Sequence, residues 1–385
     1  MDGSPVRDAS IAPDAVATAP VAHIPVARIL IVSDAWMPQV NGVVRTLSTV
    51  AAELRQMGHA VEVVGPDRFV TIPCPTYPDI RLSLLPGRRL ARLIAAFRPD
   101  AVHIATEGPL GMAARRWARR RGVPFTTSFH TRFPEYIQAR TGLPPGLAYA
   151  VLRWFHNGAA ATLVATETLS QDLASRGFTR LRAWTRGVDL QRFRPEPRED
   201  WEGDWKARPP VFLYVGRIAV EKNIGAFLDL DLPGSKVVVG GGPMLASLKA
   251  AYPDVVFTGP RSERALAQSY AGADVFVFPS RTDTFGLVVL EALACGVPVA
   301  AYDVMGPRDI LRGAAGRPGA VADDLRAACL AAVECSRADA RAHAERFSWR
   351  ACAEMFLAAL APIGNAAPFS GAAAAPAATR RPIDA

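Results

Sequence analysis

Short apolar runs alternate with amphipathic stretches along most of the chain. The run at 27–34 contains several β-branched residues, which is typical of a buried parallel strand. The segment 43–57 repeats its apolar positions at helical spacing, and Gly58 follows it as expected of a helix C-cap. Strand and helix then alternate again, which predicts a parallel, doubly wound sheet. The other predicted strands of this first series are 60–65, 100–106, 123–130, 160–166 and 181–189.

A polar, proline-rich stretch at 196–210 interrupts the alternation, and we interpret it as a linker. A second series of apolar runs begins directly after it. Because 385 residues exceed what one ordinary core accommodates, we predict two Rossmann-like α/β domains, 28–195 and 211–345, that face each other across a cleft. The predicted strands of the second series are 211–217, 235–243, 254–259, 273–280 and 296–301.

The two ends of the chain show no apolar period. Residues 1–27 and 363–385 are rich in alanine and proline, so we predict flexible extensions there. Just before the second of these, the stretch 346–362 has the pattern of an amphipathic helix. The apolar side of this helix is predicted to contain Phe347, Ala351, Met355 and Phe356.

The composition narrows the class of protein. Half of the residues are hydrophobic and 21% are charged, as in globular proteins. The sequence contains no run of about 18 apolar residues, so we do not predict a membrane-spanning helix. The first residues include acids and prolines, a pattern that is not typical of a secretory signal. The five cysteines are scattered and have no metal-ligand spacing. We therefore expect reduced thiols, a cytoplasmic location and no metal site.

The excess of positive charge is concentrated in one region. The net charge is +8, and nine arginines lie between Leu85 and Arg121 against Asp100 and Glu107. Such a region can be solvated, can face anionic lipid, or can bind nucleic acid. Nucleic acid is disfavoured, because no aromatic residues are interleaved at stacking intervals and no nucleic-acid-binding motif is present. The apolar stretch 143–155 is also open to two interpretations, a core helix or a helix that contacts a membrane.

Two basic residues follow the first predicted strand of the second domain. Ligands of open parallel sheets bind beyond the carboxyl ends of strands, and Gly216, Arg217 and Lys222 lie there. A guanidinium fork and an ammonium point charge match the two charges of a diphosphate. Since two solvated cations on a loop would look the same, this assignment depends on the neighbouring loops.

The loop after the strand 273–280 combines a helix start with two acidic residues. Gly286 lies where a helix is predicted to begin, and the amides at such a positive helix end form an anion site. Glu291 lies one turn further along, where its carboxylate could accept both hydroxyls of a ribose. Asp283 could accept hydroxyls of a sugar, so phosphate, ribose and sugar contacts fall within nine residues. The amides left free would be those of Phe285, Gly286 and Leu287.

The first domain offers candidates at the corresponding edge of its sheet. Asn41 and Gly42 follow the first strand, and a glycine lets a phosphate approach the backbone closely. His130 ends the strand 123–130, a place where a histidine is either structural or functional. Glu107, after the strand 100–106, is a third candidate.

A dinucleotide-dependent oxidoreductase is the main competing enzyme class for this architecture. It would need G-x-G-x-x-G after a strand and an acidic residue about 20 residues further on. The glycine run Gly240-Gly241-Gly242 lacks that spacing, and the first strand leads to Asn41-Gly42 instead of a glycine trio. The pattern therefore disfavours a dehydrogenase.

Six stretches together resemble a known family. The sequence is similar to the retaining glycosyltransferases of family 4, which have the GT-B fold. Within that family it resembles the GDP-mannose-dependent α-mannosyltransferases that act on lipid acceptors and the sulfoquinovosyl-diacylglycerol synthases. The stretches follow one another in the expected order, and they are 34–47, 128–136, 185–195, 214–223, 238–243 and 280–299.

The resemblance implies a role for each candidate residue. Gly42 would lie against the donor phosphates, His130 would contact the transferred sugar, and Glu291 would bind the ribose. Arg217 and Lys222 would neutralise the leaving diphosphate, with no metal or other cofactor. The predicted catalytic residues are thus Arg217, Lys222, His130 and Asp283. The predicted donor-binding residues are Asn41, Gly42, Gly216, Gly242, Phe285, Gly286, Leu287, Val288 and Glu291.

The resemblance also implies a reaction, the transfer of a hexose with retention to a lipid or glycan acceptor. Mannose from GDP-mannose is the favoured donor. A UDP-sugar donor with diacylglycerol as acceptor is the alternative, and a non-catalytic lipid-binding relative is a remote one. The family usually has two glutamates here, whereas this chain has Asp283 as the first, which indicates a different sugar selectivity. We expect a C-terminal helix that crosses back to the first domain, and a cytoplasmic protein that can rest on the inner face of the plasma membrane.

Overall fold

The computed structural model describes residues 28–364 except 40, 75–76, 136–137, 139–143 and 198–206. In this part of the chain, two parallel sheets of six strands each form the centres of two domains. The predicted end segment 1–27, residues 365–385 of the predicted end segment 363–385 and most of the predicted linker lie outside the described residues.

Most strands of the parallel sheet in the first domain are buried, as expected where helices cover both faces of the sheet. The strands of this domain are β1 Arg28–Val32, β2 Ala60–Val64, β3 Thr71–Cys74, β4 Tyr77–Ser83, β5 Ala101–Ile104, β6 Thr126–Phe129, β7 Ala161–Val164 and β8 Leu181–Ala183. The sheet has the order β2-β1-β5-β6-β7-β8 and is parallel throughout its described strands. The strand order therefore reverses between β1 and β5.

The strands β3 and β4 form a separate antiparallel pair that the apolar pattern did not predict. Ile72 is exposed and Pro73 lies within β3, so neither buried alternation nor strand-like composition marks this segment. The hairpin adds to the edge of the first domain outside its parallel sheet.

The second domain contains β9 Val211–Val215, β10 Ser235–Val239, β11 Val256–Gly259, β12 Val275–Phe278, β13 Val299–Tyr302 and β14 Gly319–Ala322. Their order is β11-β10-β9-β12-β13-β14, which is the order of the doubly wound nucleotide-binding sheets. Here the order reverses between β9 and β12. The sequence pattern predicted all of these strands except β14, whose small residues Gly-Ala-Val-Ala carry little apolar signal.

The helices lie between the strands as the alternation predicted. Those of the first domain are α1 Gly42–Gln56, α2 Gly87–Phe97, α3 Pro109–Arg121, α4 Gly146–His156 and α5 Glu167–Ser175. Those of the second are α6 Ile224–Leu228, α7 Leu245–Ala251, α8 Glu263–Ala271, α9 Leu287–Ala294, α10 Pro307–Leu311, α11 Leu325–Val333 and α12 Arg337–Ala344. None of the described helices is both long enough and apolar enough to cross a membrane.

The last described helix, α13 Trp349–Ala359, packs on the first domain. Trp349, Cys352 and Phe356 belong to the same apolar cluster as Ile29 and Leu47 of the first domain. This confirms the predicted crossover.

The buried side of α13 differs from the predicted one. Of the four residues expected there, Phe356 is fully buried, but Phe347, Ala351 and Met355 are only partly buried. The helix begins after its N-cap Ser348, so Phe347 precedes it. The side chains that are buried instead are Trp349, Cys352 and Ala353.

Candidate functional site

The loops with Gly42, Arg217 and Asp283 follow β1, β9 and β12, the strands at which the strand order reverses and where open parallel sheets bind ligands. They also meet each other. Thr284 Oγ1, after β12, donates to the carbonyl of His130, after β6, at 2.7 Å. A Cβ on Gly42, at the start of α1, would lie 3.7 Å from Leu287 Cδ1, at the start of α9. These two contacts bring candidate loops of the two domains together.

Lys222 and Asp283, two of the predicted catalytic residues, form an ion pair with Lys222 Nζ 2.6 Å from Asp283 Oδ1. The other oxygen, Oδ2, is buried and has no hydrogen-bond partner among the described residues. One oxygen of this carboxylate thus holds the lysine, while the second is available to a hydroxyl group. Burial, followed by the negative charges of Asp283 and Glu221, raises the pKa of Tyr214 beneath the pair, which keeps that phenol protonated.

Arg217 lies exposed on the loop after β9. The phenol of Tyr214 donates to the Arg217 carbonyl at 2.8 Å, which fixes the backbone of the loop. Gly242, after β10, packs tightly against the same loop, because a Cβ there would lie 2.3 Å from the Ile218 carbonyl oxygen. A Cβ on Gly216 would lie 2.9 Å from the Tyr214 phenol oxygen. Both glycines are therefore required by close packing within the loops, and their contact with a donor stays a prediction.

The helix α9 begins as the sequence predicted. Gly286 is its N-cap, with φ 100° and no side-chain cap. Such a φ strongly favours glycine. In the described part of the chain, no acceptor meets the amides of Phe285, Gly286 or Leu287. The side chain of Phe285 is buried in the domain core and that of Val288 packs against it, so these two residues contribute backbone to the cleft.

Glu291 lies one turn inside α9, as predicted, but it is not open to the cleft. The residue is only 2% exposed, and both carboxylate oxygens have partners. Tyr270 Oη donates to Oε2 at 2.9 Å, and Arg45 of α1 forms an ion pair with Oε1. The Arg45 guanidinium also lies 5.5 Å from the centre of the Phe193 ring. The predicted ribose acceptor is thus covered by an arginine from the other domain.

His130 lies at the cleft, but both of its ring nitrogens contact its own domain. Nε2 lies 2.8 Å from Ser128 Oγ, and Nδ1 lies 3.5 Å from Arg186 Nη2. Because a guanidinium can only donate, Nδ1 accepts and Nε2 carries the proton. Burial, followed by the charge of Arg186, lowers the pKa of His130 well below its ordinary value, so the ring is neutral. The predicted contact between His130 and the sugar stays a prediction. The hydrogen bond that Thr284 Oγ1 donates to the His130 carbonyl, in contrast, is present in this structure.

Further polar groups lie beneath His130. Ser128 Oγ lies 3.1 Å from His103 Nε2, and His103 Nδ1 lies 2.9 Å from Thr126 Oγ1. Burial lowers the pKa of His103 to about 3. Glu107, the third candidate of the first domain, lies with its Oε1 2.9 Å from Nε2 of the buried His156. These contacts give Glu107 and His103 structural partners within the first domain.

Sequence reasoning missed several residues that contact the predicted site. Arg45 follows Asn41 by four residues and so shares its helix face, a spacing that could have revealed it. No local signal marks Tyr270, Thr284 or Arg186, because their partners are distant in sequence. Among the described residues, no group of three His, Cys, Asp or Glu side chains is placed to hold a metal ion.

Comparison with known proteins defines the class. The model of glycosyltransferase family 4 matches residues 40–192, and the model of the glycosyl transferases group 1 matches residues 209–335. The chain belongs to glycosyltransferase family 4, and it is a hexosyltransferase.

Two relatives illustrate the range of this family. A GDP-mannose-dependent alpha-mannosyltransferase of Mycobacterium tuberculosis is 36% identical over 310 residues, which are 74% of this chain and 81% of that protein. The sulfoquinovosyl transferase of Arabidopsis thaliana is 34% identical over 286 residues, which are 67% of this chain and 56% of that protein.

The fold agrees with these relatives. The structure of a sucrose-phosphate synthase from Thermosynechococcus elongatus superimposes with a TM-score of 0.65 at 19% identity, over 85% of this chain and 96% of that one. The two facing sheets and the crossover helix are the GT-B fold.

Proposed function

We propose that the protein transfers a hexose from a nucleoside diphosphate sugar to a lipid acceptor with retention at the anomeric carbon. Mannose from GDP-mannose is the proposed donor, which the similarity to the mycobacterial α-mannosyltransferase supports. The observation that carries the proposal is the grouping of Lys222, Asp283 and the start of α9 at one switch point, opposite Gly42.

The proposed chemistry follows from charge. Breaking the bond between sugar and diphosphate builds negative charge on the leaving phosphate and positive charge on the sugar ring. Arg217, Lys222 and the amides at the start of α9 would stabilise the first, because fixed donors aimed at developing charge act with little reorganisation. When Lys222 turns to the diphosphate, Asp283 is released, and its carboxylate becomes a two-oxygen acceptor for sugar hydroxyls. The leaving phosphate itself would then accept the proton of the acceptor hydroxyl.

We further propose that this chemistry needs no divalent metal ion, because Arg217 and Lys222 supply the positive charge. Transfer rates measured with and without a strong chelator check the point. Equal rates are expected, and a rate that collapses with chelator and returns with Mg²⁺ or Mn²⁺ would refute it.

A UDP-sugar donor is the second candidate. The similarity to the sulfoquinovosyl transferase favours it, and a carboxylate such as Glu291 would bind a ribose that both nucleotides share. A thermal-shift panel with GDP, UDP and ADP and their sugar conjugates separates the candidates. A ligand at 100 times its Kd adds about 2.7 kcal/mol to the free energy of unfolding. We expect the largest shift with GDP, and a panel without any shift would refute the proposal as a whole.

We also propose that the protein binds to a membrane surface, and two exposed apolar surfaces of the first domain support this. The helix α4 buries Tyr149, Leu152 and Phe155, so it is a core helix, yet it also exposes Leu147 and Trp154 on its outer side. The two interpretations of 143–155 are therefore compatible for the described part of that stretch.

The second surface lies at the hairpin of β3 and β4. Val70 and Leu85 flank this hairpin and are 72% and 97% exposed, and Leu85 is close in sequence to the exposed Arg88 and Arg89 of α2. Apolar side chains beside arginines suit an anionic bilayer surface. Arg115 is an exception within the arginine-rich region, because it is buried and donates to the Trp154 carbonyl at 2.9 Å.

A peripheral location at the inner face of the plasma membrane would place the cleft beside its lipid acceptor. Flotation with vesicles of neutral lipid alone, or with added anionic lipid, tests this proposal at low salt. The protein is expected to float with anionic vesicles only, and the variant Leu85→Ser with Arg88→Ala is expected to stay in the soluble fraction. Wild-type protein that remains soluble with both vesicles would refute the membrane proposal while leaving the transfer reaction untouched.

A further inference from the structure

The carboxylate of Glu291 is enclosed by two residues that differ in how freely they can move. Tyr270 belongs to the same domain, is fully buried and donates to Oε2 at 2.9 Å. Arg45 comes from the first domain, and its side chain is 35% exposed, whereas that of Glu291 is 3% exposed. A ligand that reaches this carboxylate from the cleft must therefore displace Arg45 and not Tyr270.

Arg45 also lies where the geometry of the two helices places a ribose. The starts of α1 and α9 face each other, with Gly42 opposite Leu287. One turn further along both helices, Arg45 lies opposite Glu291. A donor whose phosphates lie at the helix starts would bring its ribose one turn inward, into the position that the guanidinium occupies.

We propose that Arg45 is a positioning residue that competes with the ribose of the donor for Glu291. This inference rests on the proposed function of the cleft. A charged hydrogen bond from a guanidinium is stronger than one from a neutral hydroxyl, so the ion pair lowers the fraction of protein whose Glu291 is ready for a ribose. The apparent Kd of the donor equals its intrinsic Kd divided by that fraction, so the ion pair raises the apparent Kd. Because Arg45 lies on α1 and Glu291 on α9, donor binding also exchanges a contact between the domains for a contact with the ligand.

The inference predicts that removing the guanidinium tightens nucleotide binding. The variant Arg45→Met keeps an unbranched side chain and removes the charged guanidinium, which lies 5.5 Å from the centre of the Phe193 ring. Its Kd for GDP, measured by titration calorimetry, is expected to fall about three- to tenfold, since an ion pair with one partly exposed partner changes an equilibrium by such a factor. In steady state the KM for the donor should fall while kcat does not rise. A residue that only supports the fold would not lower KM.

Two further variants make the result specific. Arg45→Lys keeps the positive charge but loses the guanidinium fork, so a smaller decrease in Kd is expected, and it replaces Arg45→Met if that variant does not fold. Arg55→Met removes one charge from the same helix at a residue that donates to the Val61 carbonyl, and its Kd should equal that of the wild type.

Opposite results would overturn the inference. A Kd for GDP and UDP that is unchanged or higher in Arg45→Met would show that Arg45 does not compete with the donor. Wild-type protein that binds none of GDP, UDP and ADP would instead refute the proposed function of the cleft, and the role of Arg45 with it.

Discussion

At the scale of single residues, the charges of the cleft are paired with each other. Lys222 holds Asp283, and Arg45 holds Glu291, so the predicted phosphate and ribose contacts are joined to acidic and basic neighbours. Such pairs keep buried charges compensated, and they can be exchanged for a ligand that brings its own charges and hydroxyls. Oδ2 of Asp283, which is buried and has no hydrogen-bond partner in the described part of the chain, indicates where the exchange with a sugar hydroxyl would begin.

The first prediction concerns the two basic residues of the loop after β9. Arg217→Ala and Lys222→Ala should each lower kcat by about a hundredfold or more, because each removes a charge that stabilises the leaving diphosphate. Single-turnover rates with saturating donor measure this effect. Lys249→Ala, at an exposed lysine of α7, is the matched control and should retain the wild-type rate. Near-normal kcat in both site variants would refute their assignment.

At the scale of elements, the site depends on how helices and strands begin and end. The start of α9 was predictable, because Gly286 interrupts an apolar pattern just where a helix follows a buried strand. The glycine is required by its φ of 100° and by the ring of Phe278, which would lie 3.1 Å from an added Cβ. The contact between α1 and α9 was not predictable, since Arg45 and Glu291 are 246 residues apart.

A second prediction tests the start of α9. Gly286→Ala forces a side chain into a left-handed conformation and should lower the free energy of unfolding by about 1–3 kcal/mol. Urea titration measures this change. The substitution also displaces the helix start, so the affinity of the folded protein for GDP should fall as well. Gly58→Ala has a similar φ of 92° outside the cleft, and it should lose stability but keep its affinity. Equal affinity in both variants would contradict the anion site.

A third prediction follows from the buried histidine between β5 and β6. In the unfolded chain His103 becomes protonated below its ordinary pKa of 6.5, whereas in the folded protein burial lowers its pKa to about 3. The unfolded state therefore binds more protons, and the free energy of unfolding decreases as the pH falls below 6.5. The contribution of His103 approaches about 1.4 kcal/mol per pH unit at pH values well below 6.5.

Urea titrations at pH 7.5, 6.5 and 5.5 check this slope. His103→Gln should show a shallower dependence on pH, whatever its absolute stability. A wild-type stability that is constant from pH 7.5 to 5.5 would contradict a neutral, buried His103.

At the scale of the whole molecule, the chain returns to its first domain through α13. The alternation of apolar runs was sufficient to predict two doubly wound sheets, because parallel strands buried on both faces are continuous apolar stretches. It could not predict the exposed hairpin of β3 and β4, nor which side of α13 is buried. Those features depend on the residues that each element contacts in the folded chain. For α13, one such contact is the hydrogen bond that the Trp184 indole donates to the Cys352 carbonyl at 3.1 Å.

A fourth prediction tests the crossover. Phe356→Ala should lower the free energy of unfolding by about 3–5 kcal/mol, as expected for a buried aromatic residue. The Phe356 ring lies 4.7 Å from that of His103 and 5.3 Å from that of Trp184, so the loss should appear in the first domain. Hydrogen exchange in β5 and β8 measures this, with the partly buried Met355 as control in Met355→Ala. Exchange that rises only in the second domain would contradict the crossover.

The proposal that the cleft transfers a hexose from a nucleoside diphosphate sugar to a lipid is tested most directly by one assay. Purified protein is incubated with GDP-mannose labelled in the sugar, with and without a lipid extract, and both GDP and labelled lipid are measured. The account predicts that GDP is released and that an equal amount of label enters the lipid, only when lipid is present. The result that would contradict it is lipid that stays unlabelled with GDP-mannose and with every UDP-sugar supplied in its place.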